Sequence, residues 1–160
     1  MATATLGAGC FWGVEQFIRD IDGVTDVRCG YMGGHLDHPT YPEVKAGTSG
    51  HAEVVQIEFD DSKVSFDELL TVFWQFHNPT TLHRQGEDVG SQYRSVIFFH
   101  NSDQQQIAEA SKQHAQTEGF WAGKTIVTEI VAADTFWLAE EYHQGYFAKH
   151  GLPSCHVAFY

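Results

Sequence analysis

Residues 2–21 read ATATLGAGCFWGVEQFIRDI. The stretch divides into a short strand (Ala2–Leu6), a glycine turn (Gly7–Gly9) and a helix (Cys10–Ile21). In the helix Val14, Phe17, Ile18 and Ile21 recur at i, i+3, i+4 and i+7 and form one apolar stripe. At about 100° per residue, Phe11 falls near an edge of that stripe and Trp12 falls roughly opposite its centre. A core-facing stripe therefore does not account for Trp12. Either it walls an apolar pocket beside the thiol, or it covers another part of the fold, such as a loop or the tail. Cys10 sits where unpaired backbone N–H groups and the positive end of the helix dipole favour an anion. A free thiol titrates near about 8.5, and a helix N-terminus can bring it to about 3.5–7.5. Cys10 is then either a small hydrophobe in a core gap or a nucleophile at a strand-to-helix corner.

The rest of the chain continues the alternation. Val24–Tyr31 reads as a strand, and Gly33–Gly50 as a long loop containing Pro39 and Pro42. Glu53–Phe59 alternates in polarity as a strand does. Ser65–Phe76 is a helix, with a capping box at Ser65 and Glu68 and a stripe of Phe66, Leu69, Leu70, Phe73 and Phe76. Asn78–Gly90 is a second long polar loop, and Gln92–Phe99 a strand. A helix over Ser102–Gln116 carries a second capping box at Ser102 and Gln105. Thr125–Ala132 is a strand, Phe136–Phe147 a short helix, and the last dozen residues a loop or tail. Strands mixed with helices predict an α/β (α+β) sandwich. Loops of more than a dozen residues in so small a domain are often functional.

A length of 160 residues suits one domain with a sizeable core, and 42% apolar with 14% aromatic residues excludes a disordered chain. The net charge of −12 makes a poor phosphate binder, which sets nucleic acid aside. No run approaches the roughly 20 apolar residues of a membrane span. The start, MATATLGAG, lacks the charged and apolar regions of a signal peptide, so a cytoplasmic location is expected. Cys10, Cys29 and Cys155 are too few, and odd in number, for a secreted disulfide framework. Nothing requires a dimer, and a monomer is expected.

Three further stretches are richer in polar groups than a loop needs. HPTYPEV (38–44) holds Tyr41 between two prolines; its plain reading is a surface tyrosine. GTSGHAEVV (47–55) puts Glu53 at the start of a strand; its plain reading is a solvated strand-end carboxylate. HRQGEDVGSQYRS (83–95) gathers Asp88, Gln92, Tyr93 and Arg94; its plain reading is a hydrogen-bonded loop. Ten histidines invite a metal, but neither His35–His38 nor His77–His83 has an HExxH or paired CxxC pattern, so none is expected. Glu141–Gln144 reads as packing or an exposed face.

In order, GCFWGVE, GYMGG, TYPEV, GTSGHAEVV, RQGEDVGSQYRS and AEEYHQGY resemble the peptide methionine sulfoxide reductases of the A type, from Leu6 to Cys155. The resemblance implies a ferredoxin-like two-layer sandwich with a mixed sheet. It implies one catalytic domain over 1–160 with a tail over 148–160, and no metal or organic cofactor. It assigns Cys10 as nucleophile, Phe11 and Trp12 as the cage for the substrate's S-methyl group, and Glu53 as the acid for the sulfoxide oxygen. Tyr41 and Tyr93 correspond to hydroxyls bonding that oxygen, Asp88 to a carboxylate holding the substrate backbone, and Cys155 to the recycling cysteine. The chemistry is coherent. A carboxyl of ordinary pKa, about 4.3, is protonated about once in 500 at pH 7, and an apolar pocket would raise that share. Cys10 would become a sulfenic acid, Cys155 would convert it to a disulfide, and thioredoxin or a similar dithiol would reduce that. The implied substrate is the S epimer, free or in proteins.

Three positions depart from the pattern or fall outside it. Ser49 stands where threonine is usual and His83 where asparagine is usual, while Cys29 is read as a buried bystander. Two rival functions remain from the residues alone. A papain-like protease also has a cysteine–aromatic step, but needs a histidine base. A sensor that only binds methionine oxide needs neither of two well-placed cysteines.

Overall fold

In the computed structural model, residues 1–151 and 158–160 are described. The chain order is β1 (Ala2–Ala8), α1 (Phe11–Arg19), β2 (Val24–Met32), α2 (Tyr41–Lys45), β3 (Ala52–Phe59), α3 (Phe66–Gln75), β4 (Arg84–Gln85), β5 (Asp88–Val89), β6 (Ser95–Phe99), α4 (Ser102–Thr117), β7 (Glu129–Ala132), β8 (Trp137–Leu138) and α5 (Tyr146–His150). β1 is buried along Ala4–Ala8 because it runs inside the sheet, between β3 and β6, with Ala4, Leu6 and Ala8 against the helices. The six-stranded order is β7-β6-β1-β3-β2-β8, with β7 parallel to β6 and the other pairs antiparallel. Its inner four strands, β6-β1-β3-β2, with α1 and α3 as crossovers, make the ferredoxin-like sandwich that the family resemblance implies.

The helices cover one face. Val14 and Ile18 of α1, Leu69, Leu70 and Phe73 of α3, and Ala108 and Ala115 of α4 pack on Leu6, Cys29, Val55, Ile57 and Ile97. The opposite face holds a smaller cluster of Met32, Ala52, Val54, Val96 and Phe98, covered in part by Ala133 and Phe136. In register, Tyr31 of β2 lies opposite Glu53 of β3, and Leu6 of β1 opposite Val55.

Several elements differ from the sequence reading. The span 136–147 is not one helix: β8 pairs with β2 at Tyr31 and Gly30, a 3-10 turn covers Glu141–His143, and only Tyr146–His150 is α-helical. Helical structure therefore reaches into the segment expected to be tail from residue 148. The strand expected over 92–99 starts at Ser95, after a 3-10 turn at Ser91–Tyr93, and the one expected over 125–132 starts at Glu129. The cap of α4 is Asn101, whose side chain accepts the Gln104 N–H at 2.9 Å, one residue before the expected Ser102. The long loops hold α2 and the β4–β5 hairpin. The Ser65–Glu68 capping box of α3 is formed as expected.

Candidate active site

Gly9, at φ 95°, makes a turn open to few other residues, and the chain enters α1 with Cys10 as its N-cap. Cys10 is half-buried, and its carbonyl accepts the N–H groups of Gly13 and Val14 at 3.2 and 3.3 Å. The first turn of α1 has no acidic residue of its own to meet its unpaired N–H groups. Glu53 fills that place from the sheet: its Oε1 accepts the Phe11 N–H at 3.2 Å. The Glu53 side chain is 1% exposed, so it is not a solvated strand end. β3 thus delivers a buried carboxyl to the residue next to Cys10.

Two loops bring phenols to the same place. Tyr41 is the first residue of α2, where Pro42 fits without losing a helical hydrogen bond, and Glu43 reaches back to the Thr40 N–H at 3.0 Å. Burial first, and then the charges of Glu53, Tyr93 and Cys10, push the Tyr41 hydroxyl well above its ordinary pKa. Burial, followed by Glu53, Asp88 and Cys10, pushes Tyr93 up to about 12. Both hydroxyls therefore keep their protons throughout the neutral range and can donate hydrogen bonds. Asp88 stands in β5, exposed, at the outer rim beside Tyr93. Its hairpin is held at the base by Gln85, which accepts the Asn78 N–H at 2.7 Å and donates to the Asn78 carbonyl at 2.9 Å.

Phe11 and Trp12 separate as the helical stripe implies. Phe11 is 1% exposed, with its ring 5.7 Å from Tyr31 and 6.4 Å from Tyr41. Trp12 is half-buried; one face of the indole stacks on Tyr146 at 3.8 Å, and Tyr41 lies 6.3 Å away. α5 therefore covers Trp12 in part, as the second of the two sequence readings allowed.

The segment 139–146 does more than the sequence reading assigned to it. Glu140 accepts the Tyr31 hydroxyl and the Tyr41 N–H, each at 2.9 Å. His143 is fully buried, and its Nδ1 accepts the Trp12 indole N–H at 2.9 Å. That bond requires a neutral ring protonated at Nε2, and burial lowers the His143 pKa, with Glu140 partly opposing. Gln144 bonds both backbone groups of Cys29 at 2.9 Å, which closes part of the β2 edge. These residues were missed because their partners lie about a hundred positions away; only AEEYHQGY, as a motif, pointed to them.

The remaining candidates behave differently. Cys29 is fully buried behind Phe11, as expected, 3.6 Å from its carbonyl oxygen, and burial pushes its thiol well up. Cys155 lies outside the described residues. Ser49 is buried and accepts the His51 N–H at 3.2 Å, a role a threonine hydroxyl can also fill. His83 takes the left-handed region at φ 52°, a conformation in which asparagine and histidine are both enriched. Among the described residues no group of three or more His, Cys, Asp or Glu could hold a metal ion.

The family model for peptide methionine sulfoxide reductase matches residues 2–160. The chain belongs to this family. It is 57% identical over 152 residues to the peptide methionine sulfoxide reductase MsrA of Geobacter sulfurreducens, covering 95% of this chain and 93% of that one. Among solved structures, Mxr1 from Saccharomyces cerevisiae in reduced form superposes with a TM-score of 0.89 at 34% identity, covering 95% of this chain and 87% of that one. Mxr1 in complex with Trx2 superposes with a TM-score of 0.66 at 25% identity, covering 98% and 88%. The protein is thus an oxidoreductase that reduces methionine sulfoxide with thiols, which removes the protease and the sensor.

Proposed function

We propose that Cys10 is the thiol that takes the sulfoxide oxygen and that Glu53 supplies the proton for it. The observation that carries this is the 3.2 Å bond from the Phe11 N–H to Glu53 Oε1, which ties an acid to the residue following Cys10. Phe11 and Trp12 hold the S-methyl group, Tyr41 and Tyr93 donate hydrogen bonds to the sulfoxide oxygen, and Asp88 holds the substrate backbone from the rim. The Cys10 thiolate attacks the sulfoxide sulfur while Glu53 protonates the oxygen. The protonated oxygen then passes from the substrate sulfur to Cys10 Sγ as the new S–S bond and the old S–O bond break, so that methionine leaves and Cys10 is a sulfenic acid. The Cys155 thiol attacks the Cys10 sulfur, water leaves, and a Cys10–Cys155 disulfide forms. A thioredoxin dithiol reduces that disulfide by exchange, the kind of partner seen with Mxr1.

Residues 1–160 work as one catalytic domain whose C-terminal segment carries Cys155. No step uses a metal or an organic cofactor, and none needs a second copy of the chain. The reading puts the enzyme in the cytoplasm, where thiols stay reduced; no described helix is long and apolar enough to cross a membrane. The test is a count. Reduced protein is mixed with each sulfoxide epimer in the absence of reductant, and methionine and free thiols are measured. Methionine from the S epimer alone, with two thiols lost per methionine, is expected. No methionine from either epimer would overturn the reading.

A further inference from the structure

Among the described residues two carboxyl side chains are nearly out of solvent: Glu53 and Glu15. The mechanism uses Glu53 and leaves Glu15 without a task. Glu15 lies on α1, more than one turn beyond Cys10, and is 3% exposed. Its Oε2 accepts the Gly145 N–H at 2.8 Å. Burial pushes its carboxyl pKa up, while that N–H and the charges of Arg19 and Lys149 pull it down. Gly145 takes a left-handed conformation, φ 64° and ψ 33°, and immediately precedes α5. The next residue, Tyr146, lies flat on the Trp12 indole at 3.8 Å with 7° between the planes, and Phe147 meets it edge-on at 6.2 Å. Glu15 and Trp12 leave the same helix, so the Glu15–Gly145 bond sets where Tyr146 meets Trp12.

We propose that Glu15 is a positioning residue for the sulfoxide pocket: by accepting the Gly145 N–H it fixes the start of α5, so that Tyr146 backs the Trp12 wall. The proposal rests on the reading of Trp12 as part of that pocket. What matters is the acceptor, since a half-buried N–H that loses its partner is costly and an amide oxygen serves as well as a carboxylate oxygen.

The test uses single-turnover methionine formation by the full chain, normalised to active molecules, as a function of S-sulfoxide concentration. Glu15→Leu fills the volume but removes the acceptor. It should raise the half-saturating concentration roughly five- to tenfold with the limiting rate kept within about twofold. Glu15→Gln keeps the acceptor and should restore the wild-type value. Tyr146→Ala should give the same rise as Glu15→Leu, and combining the two should add little. A Glu15→Leu protein that loses only thermal stability, with unchanged half-saturation, would overturn the proposal. So would a Glu15→Gln protein as impaired as Glu15→Leu. An unchanged half-saturation in Tyr146→Ala would overturn it whether or not Glu15→Leu folds. Failure of the wild type to reduce either epimer would instead remove the functional reading beneath it.

Discussion

Two aromatic clusters in this molecule use the same residue types to opposite ends. Around Trp74, the rings of Phe73 and His77 and the indole of Trp121 are all buried. Each indole N–H there ends on a group that does not titrate near neutral pH: Trp74 on the Ser111 hydroxyl and Trp121 on the Trp74 carbonyl, both at 2.8 Å. His77 uses both ring nitrogens, at 2.6 Å to the Phe73 carbonyl and 2.8 Å to Ser95 Oγ. Around Trp12 the indole is half-exposed and its N–H ends on His143, a titratable ring whose Nε2 has no hydrogen-bond partner among the described residues. The first cluster is interior packing, with Trp121 also against the exposed rings of Phe120 and Phe159. The second is held by polar contacts from the segment 140–143, Glu140 to Tyr31 and Tyr41 and His143 to Trp12, and its ring faces are shared among α1, α2 and α5. On the proposed reading, stability resides mainly in the first and binding in the second.

The sharpest break in this division is chemical. Glu53→Gln keeps an oxygen for the Phe11 N–H but has no acid proton, and should slow methionine formation by about 10²–10⁴-fold with little change in Tm. A rate within twofold of wild type would place the proton donor elsewhere.

Replacing the two tryptophans compares the clusters directly. Trp74→Ala should cost about 3–5 kcal/mol of stability, a fall in Tm of roughly 6–20 °C, with methionine formation per folded molecule preserved. Trp12→Ala should lower Tm by only a few degrees, because the ring is already half in water, yet raise the half-saturating sulfoxide concentration roughly tenfold. Similar thermal losses in the two variants would erase the distinction.

The smallest effect is pH-dependent. His143 in the fold is neutral and its pKa is lowered, so its contribution is present above the ordinary histidine range and is lost as pH falls through the folded value. Only below that lowered value, which lies under the ordinary 6.5, is the ring protonated in the fold and unable to accept the Trp12 N–H. The half-saturating concentration should rise a few-fold there, and His143→Asn, which keeps an acceptor that does not titrate, should flatten the rise. An identical pH profile in His143→Asn would detach His143 from the site.

The inner fold was legible wherever periodicity was long enough to read. The α1 and α3 stripes and the alternation of β3 set the crossovers and the sheet. α2 and the β4–β5 hairpin were hidden because elements of five and two residues carry no period. The helix expected over 136–147 failed for a tertiary reason: Trp137 and Leu138 pair with the open edge of β2, Gln144 bonds the Cys29 backbone, and Gly145 turns left-handed before α5. In the site, Cys10, Trp12 and Glu53 stood out because each sits at a strand or helix end with an unexplained neighbour. Glu15, Glu140 and His143 did not, because a side chain's partner 99 to 131 positions away leaves no local trace.

The assignment of Cys10 is tested most directly by mass analysis of Cys155→Ser after one equivalent of methionine S-sulfoxide. The account predicts one oxygen added per molecule, located on Cys10, with one methionine released. Oxygen on Cys29, or methionine released with no oxygen on any cysteine, would contradict it.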